Sequence, residues 1–298
     1  MPHPRARLWL AAPLTALALA AGACTTNGGG ASDEDTDGDA GTPQAIVSMS
    51  PTTTEMLYAV GAGDRVVAVD DQSDYPDGVP VTELSGYTPN LEAILSYDPD
   101  LVVLTDDNGD VVAGLERAGV DVLQLPAGDT VEDTYTQIEQ VGAATGNVGE
   151  AAEVVSQMQT DIAEIVATVP ERETPLTYFH ELDETFYTVT DDTYVGEVYA
   201  MLGLTSIATG DNPYPQLSEE IILESDPDFI FLADGQCCSV TPEVVAQRPG
   251  WDGLTAVREG RVHIVDEDTA SRWSPRIVDF LREVAAIVTT VPATQPTP

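Results

Sequence analysis

The side chains that could carry out covalent or metal chemistry are few and scattered. Beyond the first residues the chain has two histidines, His180 and His263. It has no Gly-x-Ser-x-Gly or Cys-x-x-Cys motif, and without Lys it cannot form a P-loop lysine or a Schiff base. A metal receptor would need about four converging ligands. We therefore expect no enzyme, cofactor or metal, with a dispersed Ser–His–Asp site as the enzyme alternative.

The N-terminus has the layout of a secretory signal. Arg5 and Arg7 precede an apolar run over 8–21, and small residues lead to Cys24. The run is about 14 residues long, which is short for a membrane span. The segment AGAC at 21–24 resembles a bacterial lipobox, although Ala21 stands where Leu is usual. We expect a signal peptide at 1–23, a lipid on Cys24 and export to the outer face of the cell membrane; a short membrane anchor is the alternative.

Charge and composition separate a tether from a folded body. Residues 24–43 are rich in Gly, Asp and Thr and lack apolar periodicity, so we expect a disordered tether reaching on the order of 25 Å. The whole chain carries 51 acidic and 11 basic residues, a net charge of −40. Such a field repels nucleic acid and excludes it as a partner. We interpret the charge as adaptation to a salty exterior.

Short apolar runs alternate with helical patterns through the body, which favours parallel sheets covered by helices. The predicted strands are 46–50, 66–69, 101–105, 122–125, 176–179, 186–190, 229–233 and 262–265. The predicted helices are 52–60, 91–96, 110–118, 131–144, 194–202, 219–224, 242–247 and 276–289. The fold class is therefore α/β with two Rossmann-like lobes.

A long amphipathic helix is predicted between the lobes. Apolar residues at 155, 158, 162, 165 and 169 follow helical spacing, and Pro170 ends the pattern. We assign 44–147 to the N-terminal lobe, 148–170 to a single rigid helix joining the lobes, 171–292 to the C-terminal lobe and 293–298 to a tail.

An internal repeat relates the two lobes. Residues 91–101 (LEAILSYDPDL) align with 219–229 (EEIILESDPDF), which places Glu92 opposite Glu220. Each copy is predicted as a helix, an Asp-Pro-Asp turn and a buried strand. Convergence on a common turn motif is the alternative explanation.

Several segments together resemble the iron-siderophore/cobalamin class of ABC solute-binding proteins. They are 46–51 (IVSMSP) with Thr54 and Glu55, 61–70, 73–76 (SDYP), 90–92 (NLE), 98–102 (DPDLV), 214–218 (YPQLS) with Glu220, and 274–277 (SPRI). The resemblance covers 45–291 and implies two lobes holding a ligand between them. It also implies that Glu92 and Glu220 dock on arginines of an ABC permease, which works with its ATPase. A favourable first-turn position in the helix macrodipole would equally explain both acids.

Ligands of open α/β sheets bind beyond the carboxyl ends of the strands. That rule nominates Gln72, residues 106–108, His180 with Glu181, residues 234–238 and the loop 266–273. With the two-lobe resemblance, the expected ligand-binding residues are Tyr87, His180, Glu181, Tyr187, Tyr214, Arg272 and Trp273. A satisfied core position for His180, a cover over helix starts for Tyr87 and Tyr214, and a structural stack for Trp273 remain alternatives; His263 is interpreted as structural.

The expected ligand is cobalamin or a related corrinoid, because the SPRI segment resembles the cobalamin binders. A ferric hydroxamate siderophore or haem is the alternative, and a sensor lipoprotein without a transporter is a third reading. We expect a monomer. Cys237 and Cys238 are predicted to form a disulfide on a cleft-side loop, with two free thiols as the alternative.

Overall fold

The computed structural model describes residues 41–293. Its first lobe is built on a five-stranded, wholly parallel sheet in the order β3-β2-β1-β4-β5. The strands are β1 (Ile46–Ser48), β2 (Val66–Asp70), β3 (Val81–Leu84), β4 (Leu101–Leu104) and β5 (Asp121–Gln124). The helices are α1 (Pro51–Ala59), α2 (Leu91–Leu95), α3 (Val111–Arg117) and α4 (Val131–Thr145). This arrangement confirms the α/β class.

The second lobe is built on a four-stranded parallel sheet in the order β7-β6-β8-β9. Its strands are β6 (Leu176–Glu181), β7 (Leu204–Ser206), β8 (Phe229–Leu232) and β9 (Val262–Ile264). In the chain, α5 (Val148–Val166) follows α4 and precedes β6. The later helices are α6 (Tyr194–Met201), α7 (Glu219–Ser225), α8 (Gly235–Cys238), α9 (Pro242–Ala246), α10 (Thr255–Arg258), α11 (Glu267–Ser271) and α12 (Ile277–Val288). Parallel strands need long crossovers, and these helices supply them.

The predicted strand at 186–190 is wrong. Its backbone amides bond outside the sheet: Thr188 N donates to Pro215 O and Thr190 N to Pro213 O, both at 3.0 Å. Tyr187 forms an isolated antiparallel bridge with Gln216. The position beside β6 is taken instead by β7, which the sequence pattern did not predict. Apolar alternation alone therefore could not tell a strand of the sheet from an arm that pairs with a loop.

The repeat has a structural basis in its turns. Asp98 and Asp226, the first Asp of each turn, both adopt left-handed backbone conformations with φ of 48° and 43°. The second Asp ties down the start of a neighbouring strand, since Asp100 accepts from Ala45 N at 3.0 Å and Asp228 accepts from Thr177 N at 2.9 Å. Asp tolerates the left-handed region and its short side chain bonds nearby amides, so the same motif serves both lobes.

The long helix predicted in this region is present as α5, with 19 residues and a length of about 28 Å. It ends at Val166, three residues before the last apolar position of the predicted pattern, and 167–169 continue as a hydrogen-bonded turn. The helix packs against α4 of the first lobe and α12 of the second. One apolar core runs from Ile46 on β1 to Val288 on α12, so the two sheets share a core.

The remaining segment predictions concern residues outside the described part of the chain. The signal peptide at 1–23 and Cys24 lie outside it, as do most of the tether and residues 294–298. Within 41–293 no helix is long and apolar enough to cross a membrane.

Candidate ligand-binding cleft

Two adjoining cavities open at the carboxyl ends of the strands. The first, of about 350 Å³, lies on the side of the first lobe and the second, of about 420 Å³, on the side of the second lobe. Ser271 and Trp273 line both cavities. The other residues that matter here are Asp70, Tyr87, Asp106, Asp268 and Arg272 in the first cavity, and His180, Tyr194, Tyr214, Cys237 and Glu267 in the second. The two spaces therefore form one cleft with Trp273 between them.

Aromatic side chains stand on both sides of this cleft. Tyr87 is 81% exposed and borders the first cavity, and Tyr214 borders the second. Tyr87 follows Gly86, where an added Cβ would approach Met49 O to 2.4 Å, so the loop can lie this close to β1 only with Gly. Trp273 is fixed by donating from Nε1 to Gln137 Oε1 at 3.0 Å. The structure thus brings together three of the four predicted Tyr and Trp residues, and Trp273 is anchored.

The cleft wall is rich in acidic groups and its one predicted cation is already paired. Arg272 donates to Glu55 at 2.9 Å, to Asp74 at 3.0 Å and to Asp268 at 2.6 Å. Asp70 is buried, and that burial raises the pKa of its carboxyl. Bound to three carboxylates, Arg272 has little positive charge left to offer an anionic ligand.

His180 is a buried residue whose ring reaches the second cavity. Its Nδ1 is 2.8 Å from the hydroxyl of Tyr199, and the ring packs edge-on against that tyrosine. Burial lowers its pKa to about 4, so the imidazole is neutral at ordinary pH. The two interpretations of His180 from the sequence therefore both apply in part. It is a core residue with a hydrogen-bond partner, and it also lines the second cavity.

Two other predicted ligand-binding residues do not line the cleft. Glu181 is fully buried and accepts two hydrogen bonds from Arg248, at 2.5 and 2.6 Å. Glu181, at the end of β6, is thus held in an internal ion pair and lines neither cavity, and its role in ligand binding stays a prediction. Tyr187 is exposed, but it lies on the arm at 186–190 and lines neither cavity.

Asp234, at the end of β8, is an acid whose unusual state the sequence did not reveal. It is 1% exposed, and neither carboxylate oxygen has a hydrogen-bond partner among the described residues. Burial, and after it the charge of Glu181, raises its pKa to about 7. Ionising Asp234 is costly because its carboxylate is buried without hydrogen-bond partners. The sequence alone does not show this burial.

Replacing Asp234 with Asn is expected to stabilise the protein at alkaline pH. The folded-state pKa lies above the usual Asp value, so the contribution of this carboxyl to stability is full at low pH and is lost as pH rises through about 7. Thermal melts should place the variant a few degrees above the wild type at pH 8, where about 1 kcal/mol corresponds to roughly 2–4 °C. The gain should shrink towards pH 5, and a lower melting temperature at pH 8 would contradict the assignment.

Cys237 and Cys238 form a disulfide at the end of α8. Cys237 also lines the second cavity. The backbone of this turn is held by Glu267, whose Oε1 accepts from the amides of Gln236 and Cys237, both at 2.6 Å. Cys237 is thus part of the cleft wall, at the carboxyl end of β8, where the sequence analysis nominated residues 234–238.

Glu92 and Glu220 occupy matching positions, away from the cavity linings. Each is exposed in the first turn of its helix, α2 or α7, after a capping residue. The caps are Asn90, which accepts from Ala93 N at 3.0 Å, and Ser218, which accepts from Ile221 N at 3.3 Å. Among the described residues neither Glu forms an ion pair. Both carboxylates therefore remain free for a partner.

No group of His, Cys, Asp and Glu residues within 41–293 has the arrangement of a metal site. The cleft is suited to non-covalent capture, since aromatic faces and acceptor oxygens surround it without a nucleophile–base pair.

Comparison with known proteins agrees with this geometry. Residues 46–269 match the family model described as periplasmic binding protein. The chain is 31% identical over 252 residues to the "Uncharacterized ABC transporter substrate-binding lipoprotein YvrC" of Bacillus subtilis, covering 82% of this chain and 79% of that one. It is 29% identical to the "Cobalamin-binding protein" of Halobacterium salinarum, covering 82% and 69%.

A solved structure with the same fold is that of the periplasmic vitamin B12 binding protein BtuF of Vibrio cholerae. It superposes with a TM-score of 0.69 at 26% identity, covering 83% of this chain and 97% of that one. The resemblance inferred from sequence segments is confirmed. The chain belongs to the periplasmic binding protein family, whose members capture small ligands and deliver them to ABC permeases, and it is a solute-binding protein rather than an enzyme.

Proposed function

We propose that this protein captures cobalamin or a related corrinoid in the cleft and delivers it to an ABC importer. The observation that carries the proposal is the composition of the cleft wall. Tyr87, Trp273 and Tyr214 offer aromatic faces on both sides, while Asp70, Asp106 and Asp268 offer acceptors. A large ring with neutral amide arms would stack on the former and donate to the latter.

The same wall disfavours an anionic ligand. A ligand with free carboxylates, such as haem, would meet acidic groups and an Arg272 already bound by three carboxylates. Bringing a negative charge into such a site costs free energy unless a cation is available to pair with it. A cationic or neutral ferric hydroxamate avoids this penalty and is the second candidate.

A thermal-shift panel of cobalamin, cobinamide, ferrioxamine, a ferric catecholate and haem tests the ligand. At one hundred times its Kd, a bound ligand adds about 2.7 kcal/mol to the free energy of unfolding. We expect this stabilisation with at least one corrinoid and none with the catecholate or haem. A shift with ferrioxamine and none with either corrinoid would replace the proposed ligand and leave the family unchanged.

We further propose that Cys24 is the mature N-terminus and carries the lipid anchor. Small residues precede it and a polar tether follows it, and the relative from Bacillus subtilis is named a lipoprotein. Mass spectrometry of protein purified from membranes should find a diacylglyceryl-modified Cys24 at the N-terminus. An unmodified Cys24 inside a longer mature chain would refute the anchor.

Delivery needs a docking surface, and Glu92 and Glu220 supply one candidate pair. They lie on α2 and α7 at equivalent positions of two similar lobes, which suits a partner with two-fold symmetry. Charge-assisted pairing with an arginine at each point would fix the orientation of the whole protein.

A further inference from the structure

A buried polar cluster joins the two lobes next to the cleft wall. Glu55, on α1 of the first lobe, has a side chain only 2% exposed. Its carboxylate accepts from Arg272 Nη1 at 2.9 Å and from Arg276 Nη1 at 3.0 Å, and also from the Ser274 hydroxyl. All three donors belong to the segment 272–276 of the second lobe. The single buried carboxylate of Glu55 thus accepts hydrogen bonds from three side chains of the opposite lobe.

Other side chains of the first lobe hold the same segment. Asp74 Oδ1 accepts from Arg272 at 3.0 Å, and the Arg276 guanidinium lies 4.2 Å from the ring centre of Tyr75. Gln137 accepts from the indole of Trp273 at 3.0 Å. The segment 272–276 therefore belongs to the second lobe by sequence, while most of its polar partners belong to the first.

Glu55 itself lines neither cavity, whereas Arg272 and Trp273 do. Breaking a buried ion pair by removing one partner is expensive, because the other charge is left without compensation. A displaced Arg272 would have to move towards water, and the neighbouring Trp273 backbone would move with it. The positions of Arg272 and Trp273 in the cleft wall are therefore expected to depend on Glu55.

We propose that Glu55 is a positioning residue for ligand capture. It sets the place of Arg272 and Trp273 in the cleft wall and fixes the angle between the lobes, without touching the ligand. The expected effect on ligand affinity rests on the proposed function, whereas the expected effect on the positions of Arg272 and Trp273 does not.

The test replaces Glu55 with Gln, which keeps the size and removes the charge. Labelling with 5-fluorotryptophan gives a ¹⁹F signal from Trp273 that reports its surroundings without any ligand. The chain has three Trp residues, and the Trp273 signal is assigned by its loss in Trp273→Phe. We expect Glu55→Gln to shift or broaden that ¹⁹F resonance and to raise the Kd for cyanocobalamin at least tenfold. Ser274→Ala removes one neutral donor and should cause a smaller change in both readouts.

Asp228→Asn is the matched control. Asp228 also accepts backbone and side-chain hydrogen bonds, from Thr177 N and Oγ1 at 2.9 and 3.2 Å, but it precedes β8 and lies at the opposite end of the strand from the cleft. It should lower the melting temperature and leave the Trp273 resonance and the Kd unchanged.

The two readouts separate the possible failures. If Glu55→Gln lowers the melting temperature and leaves the Trp273 resonance where it is in the wild type, Glu55 is merely structural and the inference is overturned. If the wild type does not bind cyanocobalamin, the proposed ligand fails, and the resonance of Trp273 still decides the role of Glu55.

Discussion

Reversing the charge at both Glu92 and Glu220 is expected to abolish ligand uptake while leaving ligand affinity intact. Both side chains are exposed, and neither lines the cleft or forms an ion pair among the described residues. With Arg at both positions, each docking point would face a permease arginine with a like charge instead of a carboxylate. Losing a charge-assisted pair costs roughly 2–5 kcal/mol, so two losses should reduce uptake by at least about 100-fold.

The measurement is transport of radiolabelled cobalamin in cells that carry only the variant protein, alongside the Kd of the purified variant. Glu150→Arg with Glu243→Arg is the matched control, because both acids are exposed in the first turn of other helices. The control makes the same change in net charge and should support normal uptake. Normal uptake by the Glu92 and Glu220 variant would remove these residues from the docking surface.

Truncating Trp273 to Ala is expected to weaken ligand binding more than any other single change in the cleft. Trp273 borders both cavities and is held rigid by Gln137. Aromatic anchors that become buried when a ligand binds typically contribute about 2 kcal/mol or more to binding, which corresponds to roughly 30-fold or more in Kd. Titration calorimetry with cyanocobalamin provides the measurement.

Two variants calibrate that result. Trp273→Phe keeps an aromatic face but loses the indole donor, so its Kd should fall between those of the wild type and the Ala variant. Tyr97→Ala removes an exposed aromatic ring that lines neither cavity and should leave the Kd unchanged. Equal affinity of Trp273→Ala and the wild type would contradict the placement of the ligand between the two cavities.

The parts of the fold that follow from local chemistry were predictable. The Asp-Pro-Asp turns ending at Asp100 and Asp228 require a particular backbone geometry, and the buried strands after them need continuous apolar runs. Their repetition at a constant spacing reveals two related lobes. The apolar face of α5 was visible for the same reason, because it depends only on neighbouring turns of one helix.

Features that depend on distant partners were not predictable. The edge strands β3 and β7 are short and their pairing is decided by the neighbouring strand, so the alternating arm at 186–190 was mistaken for a strand. The environment of Asp234 likewise depends on packing around residues far away in sequence. For Glu181, the strand-end rule gave the correct neighbourhood, but Arg248, 67 residues away, determines its role.

The cleft combines predicted and unpredicted residues for a related reason. The strand-end rule nominated the loop that carries Trp273, and the two-lobe resemblance added Tyr87 and Tyr214; all three line the cavities. Glu55 was visible only as part of a family-like segment, and its partners at 272–276 are more than 200 positions away. Sequence spacing cannot show that a residue acts through another lobe.

The apolar core shared by the two sheets also bears on how the chain folds. Residues from Ile46 to Val288 contribute to one cluster, so neither lobe can complete its interior while the other is unfolded. The two halves therefore gain stability from each other, and we expect them to unfold together as one cooperative unit. We expect the folded body to become resistant to proteases only once α12, near its C-terminal end, has packed against α5.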